Sequence, residues 1–378
     1  ARPEVRSFAI GMPGTDLFPA DDMAEAARRV LRDDPRALQY GLPSRALKAR
    51  VVELLRLRGV EAREEEVFLT TGSQQAMDLL ARLLLDPGGT VALEETVYDG
   101  IQIAVRPLVP RVLTVPTSPE HGIDVDGLEA LLEEGERPAF LYLVPEGHNP
   151  MGGSLPAERR LRLVELARRY RLPILEDDAY GLLRYDRDAA PPLRALDSRW
   201  VFYLGSFSKI LAPAFRVGWI VAPEELVSRL SIVKHATDLD TATFAQRALA
   251  AYLEAGHLPA HLTRIRAAYR ERRDAMLDAL SKEMPPGVRW HPPEAGIFVW
   301  AWLAPGADAT AILREAIRRE AVAFCPGSAF AVAGARHADH CLRLSFADAA
   351  PAEIREGIAR LGRVLRSVLS TEGTAATG

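Results

Sequence analysis

Lysine is scarce in this chain. Of 47 lysine and arginine residues only four are lysine: Lys48, Lys209, Lys234 and Lys282. Most exposed cationic positions accept either residue, so each lysine that remains asks for a reason. Cysteine is scarcer still. Cys325 and Cys341 alone cannot build a disulfide framework, which excludes a small stapled scaffold and makes a reduced, cytoplasmic setting the expectation. No apolar run reaches the length of a membrane span, and the opening ARPEVRSFAIG lacks the apolar core of a signal peptide. Nor is there a basic excess: net charge is −4, and arginines alternate with acids, as in ARRYRLPILEDD. Nucleic acid is therefore not an expected partner.

What is present is the composition of a globular protein, 378 residues with 48% apolar and 26% charged, enough for two domains or one large domain with a smaller companion. Short apolar runs recur at 91–95, 111–115, 139–145, 172–178, 200–206 and 217–223. Between several of them lie SQQAMDLLARLLL, DGLEALLEE and ERRLRLVELARRY, whose apolar residues return every three or four positions, the helical period. This alternation predicts an α/β fold with a mostly parallel central sheet flanked by helices. Residues 241–283 read as a long helical connector. The segment VRWHPPEAGIFVWAWL then reads as a strand pair, ATAILREAIRRE as a helix, HCLRLSFA as a strand and AEIREGIARLGRVLRSVL as a closing helix, together a smaller α+β unit.

Ligands of open parallel sheets bind beyond the carboxyl ends of the strands, and the unusual residues fall there. Tyr98 follows VALEETV; Asn149 follows AFLYLVP; Asp177 ends LPILED, with Tyr180 just after; Ser206, Ser208, Lys209 and Arg216 follow WVFYLGS. The stretch TTGSQQAM is a Gly-Ser turn opening a helix, which offers free N–H groups to a phosphate. Alone, each has an ordinary reading: Asp177 and Asp178 as a solvated strand end, Tyr98 as packing, Asn149-Pro150 as a turn, Lys209 as a surface charge. Together they describe a pyridoxal phosphate site. Lys209 suits the aldehyde, because arginine cannot shed its proton and lysine can. Asp177 suits the pyridine nitrogen, Tyr180 and Asn149 the phenolate oxygen, Tyr98 the ring face, and Gly72, Ser73, Gln74, Ser206 and Arg216 the phosphate, with Ser208 beside them. His337 and His340 have a spacing a metal could use, but the residues around them read as a loop, and no metal is expected.

The motifs TTGSQQAMDLL, EDDAYGLLRYD, YLGSFSKILAPAFRVGW and CLRLSFA, in this order, resemble those of fold-type I pyridoxal-phosphate aminotransferases of class I/II. The opening SFAIGMPGTDLFP and the later EAGIFVW are similar to the 2-aminoadipate/kynurenine branch. The resemblance implies transfer of an amino group between an L-amino acid and a 2-oxo acid in a ping-pong cycle, with Lys209 as Schiff-base and proton-shuttle residue and Asp177 and Tyr180 beside it. It implies that Arg343 and Asn149 meet the substrate, and that Tyr40 reaches the cofactor phosphate of a second subunit in a homodimer with shared sites. It also divides the chain: 1–45 as an N-terminal segment joining the small domain and the dimer contact, 46–283 as the cofactor domain with its connector helix, 284–378 as the small domain. Three places depart from the family's pattern: His148 and Met151 around Asn149-Pro150, Arg45 where glycine is usual, and Ala49-Arg50 in place of Leu-Arg. Arg45 is either a ligand for an acidic substrate tail in the partner's site or a solvated charge at the dimer edge. Two other readings stay open, another pyridoxal-phosphate enzyme of the same fold (a lyase, cyclase or oxidase) and the ligand-binding domain of a MocR-type regulator, although no helix-turn-helix segment precedes the fold here.

Overall fold

The computed structural model describes residues 4–186, 189–332 and 337–375. Its centre is a seven-stranded sheet in the order Val67–Thr70, Gly218–Val221, Val201–Ser206, Ile174–Asp177, Leu141–Leu143, Thr90–Glu94, Arg111–Val115. The apolar runs become buried strands because helices such as Gly72–Leu84 and Ala157–Tyr170 cover the sheet, leaving no solvent face to mark with polar residues. All neighbours pair in parallel except Gly218–Val221, which runs antiparallel to both of its neighbours. The reason lies in its connection. A parallel return needs a crossover of a dozen or more residues, usually a helix; the link from Ser206 to Gly218 is shorter and carries Lys209, so the chain doubles back.

The expected connector is two helices, Thr243–Glu254 and Leu258–Glu283. The break falls at Gly256, whose φ of +79° is the left-handed conformation that ends helices and that glycine adopts at least cost. The long second helix packs on the closing helix Pro351–Ala375. A four-stranded antiparallel sheet follows in the order Arg289–His291, Phe298–Trp302, Cys341–Ser345, Cys325–Pro326, so the strand-pair reading of 288–303 holds. The N-terminal segment joins this unit: Arg6–Ser7 pairs in parallel with Val322–Ala323, and Phe8, fully buried, bonds to Ala323 and Ser345 through its backbone. That anchor carries residues 9–11 over the carboxyl ends of the central strands. Among the described residues no helix is long and apolar enough to cross a membrane.

Candidate active site

A cavity of about 330 Å³ lies where the central strands end and the smaller sheet begins; its walls include Ser73, Tyr98, Asn149, Asp177, Tyr180, Lys209 and Arg343. Residues from positions 73 to 343 thus meet in one space, and each comes from the end of an element that its own sequence dictates.

Asp177 and Asp178 show how. Successive strand residues face opposite sides, so one acid meets the cavity and the other is turned away. Asp178 goes to Arg58, 2.7 Å from its Nε, and accepts from the hydroxyl of Tyr203 at 2.7 Å. Asp177 faces the cavity. Its Oδ2 accepts from the hydroxyl of Tyr142 at 2.8 Å, while its buried Oδ1 has no partner. Tyr142 reaches it because Tyr142 registers with Leu175, two residues before Asp177 and therefore on the same face of the sheet. Burial pushes the Asp177 carboxyl up to about 6, against the opposing pull of the Tyr142 hydroxyl; Asp178 adds to the rise, and the Ala179 N–H and Lys209 oppose it.

Lys209 sits on the short return after Val201–Ser206. Burial, with Arg343 and Arg216 nearby, brings its amine down to about 8, with Asp177 opposing. Its Nζ donates to the Gly11 carbonyl at 2.7 Å. Arg343, buried, lies between the rings of Phe298 and Phe330, 4.2 and 4.5 Å from their centroids. It donates to Asn149 Oδ1 at 2.7 Å and to the Ala9 carbonyl at 2.6 Å, and its Nε has no partner. Tyr180 meets Phe298 edge to face at 5.9 Å, and burial holds its phenol in the protonated, donating form.

The expected phosphate cradle is assembled on the start of helix Gly72–Leu84. Gly72 has φ +76°, and a Cβ there would stand 2.7 Å from the Arg216 guanidinium, so only glycine lets that cation lie across the helix start. Gly218 is as constrained: its Cβ would meet the Ser73 amide at 2.9 Å. Ser206 Oγ donates to Ser208 Oγ at 3.0 Å and accepts from the Ser208 N–H at 3.1 Å. Gln74 bonds the Gly100 carbonyl at 2.8 Å and receives the Tyr98 hydroxyl at 3.4 Å, which ties the cradle to the residue expected on the ring face. Burial raises the Tyr98 phenol to about 12.

Three residues singled out in the sequence lie elsewhere. Tyr40 is 87% exposed, between the exposed Leu38 and Leu42. Arg45 opens helix Arg45–Arg56, with its side chain 89% exposed and 3.9 Å from Glu64; it lines a different cavity of its own subunit. His148 turns from the cavity to Glu94, 3.1 Å away, while its Nδ1 accepts the Met151 N–H at 3.3 Å. Conversely, sequence reasoning passed over Tyr142, the aromatic pair around Arg343 and the backbone of Ala9 and Gly11. Tyr142 carried a faint signal, one hydroxyl inside an otherwise apolar strand; backbone carbonyls carry none.

These residues fit pyridoxal phosphate. A buried carboxylate oxygen without a donor needs one, as Asp177 Oδ1 does, and a protonated ring nitrogen would be a suitable donor. A lysine of lowered basicity stands in the same cavity, and an exposed arginine lies over a helix start whose N–H groups await an anion.

Comparison with known proteins points the same way. The family model described as aminotransferase class I and II matches residues 4–361. The chain is 42% identical over 377 residues to the 2-aminoadipate transaminase of Thermus thermophilus, covering 98% of this chain and 92% of that protein. It is 38% identical to aromatic-amino-acid aminotransferase 1 of Thermococcus litoralis, covering 96% and 88%. Among solved structures it superposes on the Thermus thermophilus α-aminoadipate aminotransferase LysN, complexed with N-(5'-phosphopyridoxyl)-L-leucine, with a TM-score of 0.92 and 41% identity over 98% of this chain and 94% of that one.

Proposed function

The chain belongs to the class I and II aminotransferases, and on that premise we propose how its residues divide the work of a pyridoxal-phosphate-dependent transaminase between them. The reaction moves an amino group between an L-amino acid and a 2-oxo acid; the lyase, cyclase, oxidase and regulator readings are not favoured. The observation that carries the assignment of roles is the meeting of Lys209, Asp177 and Arg343 in one cavity.

When bound, the cofactor supplies an aldehyde that takes up the amino group and a ring that draws electrons from the neighbouring carbon. Gly72, Ser73, Gln74, Ser206, Ser208 and Arg216 would hold its phosphate, Tyr98 its ring face, Asn149 and Tyr180 its phenolate oxygen, and Asp177 its ring nitrogen. Lys209 acts first as a nucleophile. With its amine held near 8, a substantial fraction is unprotonated around neutrality, where an ordinary lysine is almost wholly charged. As a general base, Lys209 would then take the proton from the substrate Cα and return one. Arg343 orients the substrate by its α-carboxylate. The planar guanidinium suits a planar anion, and it packs against the rings of Phe298 and Phe330.

A homodimer completes the site in this reading. Tyr40 and Leu42 are 87% and 91% exposed, and with Leu38, Phe68 and Phe244 they border a second, largely apolar cavity of about 860 Å³. Such a surface favours cover by another protein, and a second copy would let Tyr40 serve the partner's phosphate, with Arg45 on the same outer face. The division at 46–283 and 284–378, with 1–45 joining the second unit, is supported by the two separate sheets, and a cytoplasmic location by the two unpaired cysteines. The test is direct. Borohydride added with the cofactor should fix it to Lys209, as read by peptide mass, and Lys209→Ala should abolish a single turnover with an amino acid while the fold survives. Labelling of another lysine would overturn the assignment.

A further inference from the structure

We infer that Lys234 and Asp238 are positioning residues for the cofactor phosphate: they hold the Thr71 hydroxyl away from the start of helix Gly72–Leu84 and so leave its first-turn N–H groups open to an anion. The inference rests on the pyridoxal-phosphate reading of the cavity.

The residues Thr71-Gly72-Ser73-Gln74 have the spacing of a capping box. In that motif a threonine hydroxyl takes a first-turn N–H, and a glutamine three positions on takes the threonine N–H in return. A helix start closed in this way has fewer free donors for a ligand. The structure draws both halves of the box elsewhere. Gln74 bonds the Gly100 carbonyl at 2.8 Å. Thr71 stands at the N-cap position, yet its side chain makes no capping bond. Its hydroxyl donates to Asp238 Oδ2 at 2.7 Å, and the Thr241 hydroxyl meets it at 3.3 Å. The Thr71 N–H is satisfied by Gln75 Oε1 at 2.8 Å. Thr71 therefore leaves the Ser73 and Gln74 N–H groups uncapped, where the phosphate is expected.

Asp238 is an unusual residue for its place. It ends helix Glu224–Asp238, where the dipole disfavours an acid. Leu239 follows with φ +64° and ψ −65°, and the Asp240 N–H closes a γ-turn on the Asp238 carbonyl at 2.8 Å, a rare and strained conformation. Lys234, buried one turn back, offsets the misplaced charge. Its ammonium donates to the two Asp238 oxygens at 2.9 and 3.1 Å and to Gln75 Oε1 at 2.6 Å. Gln75 Nε2 in turn donates to Asp238 Oδ2 at 2.7 Å. Against the effect of burial, the bonds from Lys234, Thr71 and Gln75 hold the Asp238 carboxyl below its usual range, so it stays an acceptor for the threonine. A compact ammonium can turn three donors on three converging oxygens, which the flat, fixed fork of a guanidinium does less well. That gives a second of the four lysines its reason. Every bond named here lies within one subunit.

The test is the affinity of the full chain, freed of cofactor, for pyridoxal phosphate and for pyridoxal, which lacks the phosphate, read by the absorbance of the bound aldehyde. Asp238→Ala releases the Thr71 hydroxyl to cap the helix. It should weaken pyridoxal phosphate about fivefold, the ratio that a typical N-cap bond represents, and leave pyridoxal unchanged. Lys234→Met should act in the same direction, and it carries the same comparison where Asp238→Ala does not fold. Adding Thr71→Val to either variant removes the hydroxyl that would cap, and should bring the affinity back to near native. A loosened fold would weaken both ligands and would gain nothing from the second substitution. Unchanged affinity for pyridoxal phosphate, equal weakening of both ligands, or a loss that Thr71→Val does not relieve would overturn the inference while leaving the cofactor site. A native chain that binds pyridoxal phosphate no better than pyridoxal would strike the phosphate-cradle reading itself.

Discussion

Replacing Tyr142 with phenylalanine removes one hydroxyl from a side chain that is wholly buried and leaves its ring in place. That hydroxyl is the side-chain donor on Asp177 Oδ2, at 2.8 Å. A hydrogen bond to a charged group contributes about 1.5–3 kcal/mol, and each pKa unit corresponds to about 1.4 kcal/mol. The loss should therefore raise the Asp177 carboxyl by about one to two units from its starting value of about 6. The sign follows from what the donor holds: Tyr142 stabilises the ionised form, so removing it favours protonation. The other groups that act on Asp177 stay, namely Asp178, Lys209 and the Ala179 N–H. The shift favours the protonated carboxyl, which would hold a proton on the ring nitrogen less well. The assay is the pH dependence of the amino-acid half-reaction, with the visible absorbance of the bound cofactor titrated in parallel. The acidic limb of both should move upward by about one unit or more in Tyr142→Phe, and thermal unfolding separates this from general loosening. An unchanged profile in a stably folded variant would refute the claim that Tyr142 sets the charge of Asp177.

Asp177→Asn should slow the half-reaction roughly a hundredfold or more, yet cofactor affinity, measured by dialysis, should fall far less because the phosphate cradle is untouched; near-native turnover would remove Asp177 from its role. Lys209→Met should stabilise the cofactor-free protein against urea by up to roughly 3 kcal/mol at pH 7, from an amine lowered from 10.5 to about 8. Because the folded-state value is depressed, the cost of charging this lysine is fully present below about pH 8 and fades as pH rises to 10.5, so the gain should fade over the same range, and a pH-independent gain would exclude charge as its cause. Arg343→Lys should raise KM for every amino acid alike, since a point cation cannot replace a stacked, two-pronged one; selective loss for one substrate class would contradict α-carboxylate binding. Sedimentation should find a dimer, and a fully active monomer would rule out a shared site.

The legible parts of this molecule were those where residue type and position answer one chemical demand. Lys209 stood out because the chain otherwise uses arginine, and Asp177 because it ends a strand just ahead of it. The alternation of short apolar runs with segments of helical period was enough for the α/β architecture, since most of the strands are too short and too apolar to sit anywhere but inside. What stayed hidden depends on register and direction. Whether Asp177 or Asp178 faces the ligand turns on which side of the sheet the cavity lies, and two adjacent acids look alike until Arg58 and Tyr203 claim one of them. Tyr142 reads as core because its partner lies 35 residues on. The roles expected of Tyr40 and Arg45 rest on resemblance alone, because within one subunit neither enters the cavity.

The least legible contacts also concern Lys209 and Arg343, two cations in one cavity. Burial disfavours the charged form of both, and Arg343 lowers the Lys209 amine further. Their available acceptors include the Gly11 and Ala9 carbonyls, brought there because Phe8 is locked into the smaller sheet. A neutral carbonyl is an adequate partner and a weaker one than an anion, as charge-assisted hydrogen bonds are about twice as strong as neutral ones. An α-carboxylate at Arg343 would therefore compete with the Ala9 carbonyl for the guanidinium. Residues 9–11 and the cations they cap consequently form one unit, with Ile10 between the two hydrogen-bonded carbonyls.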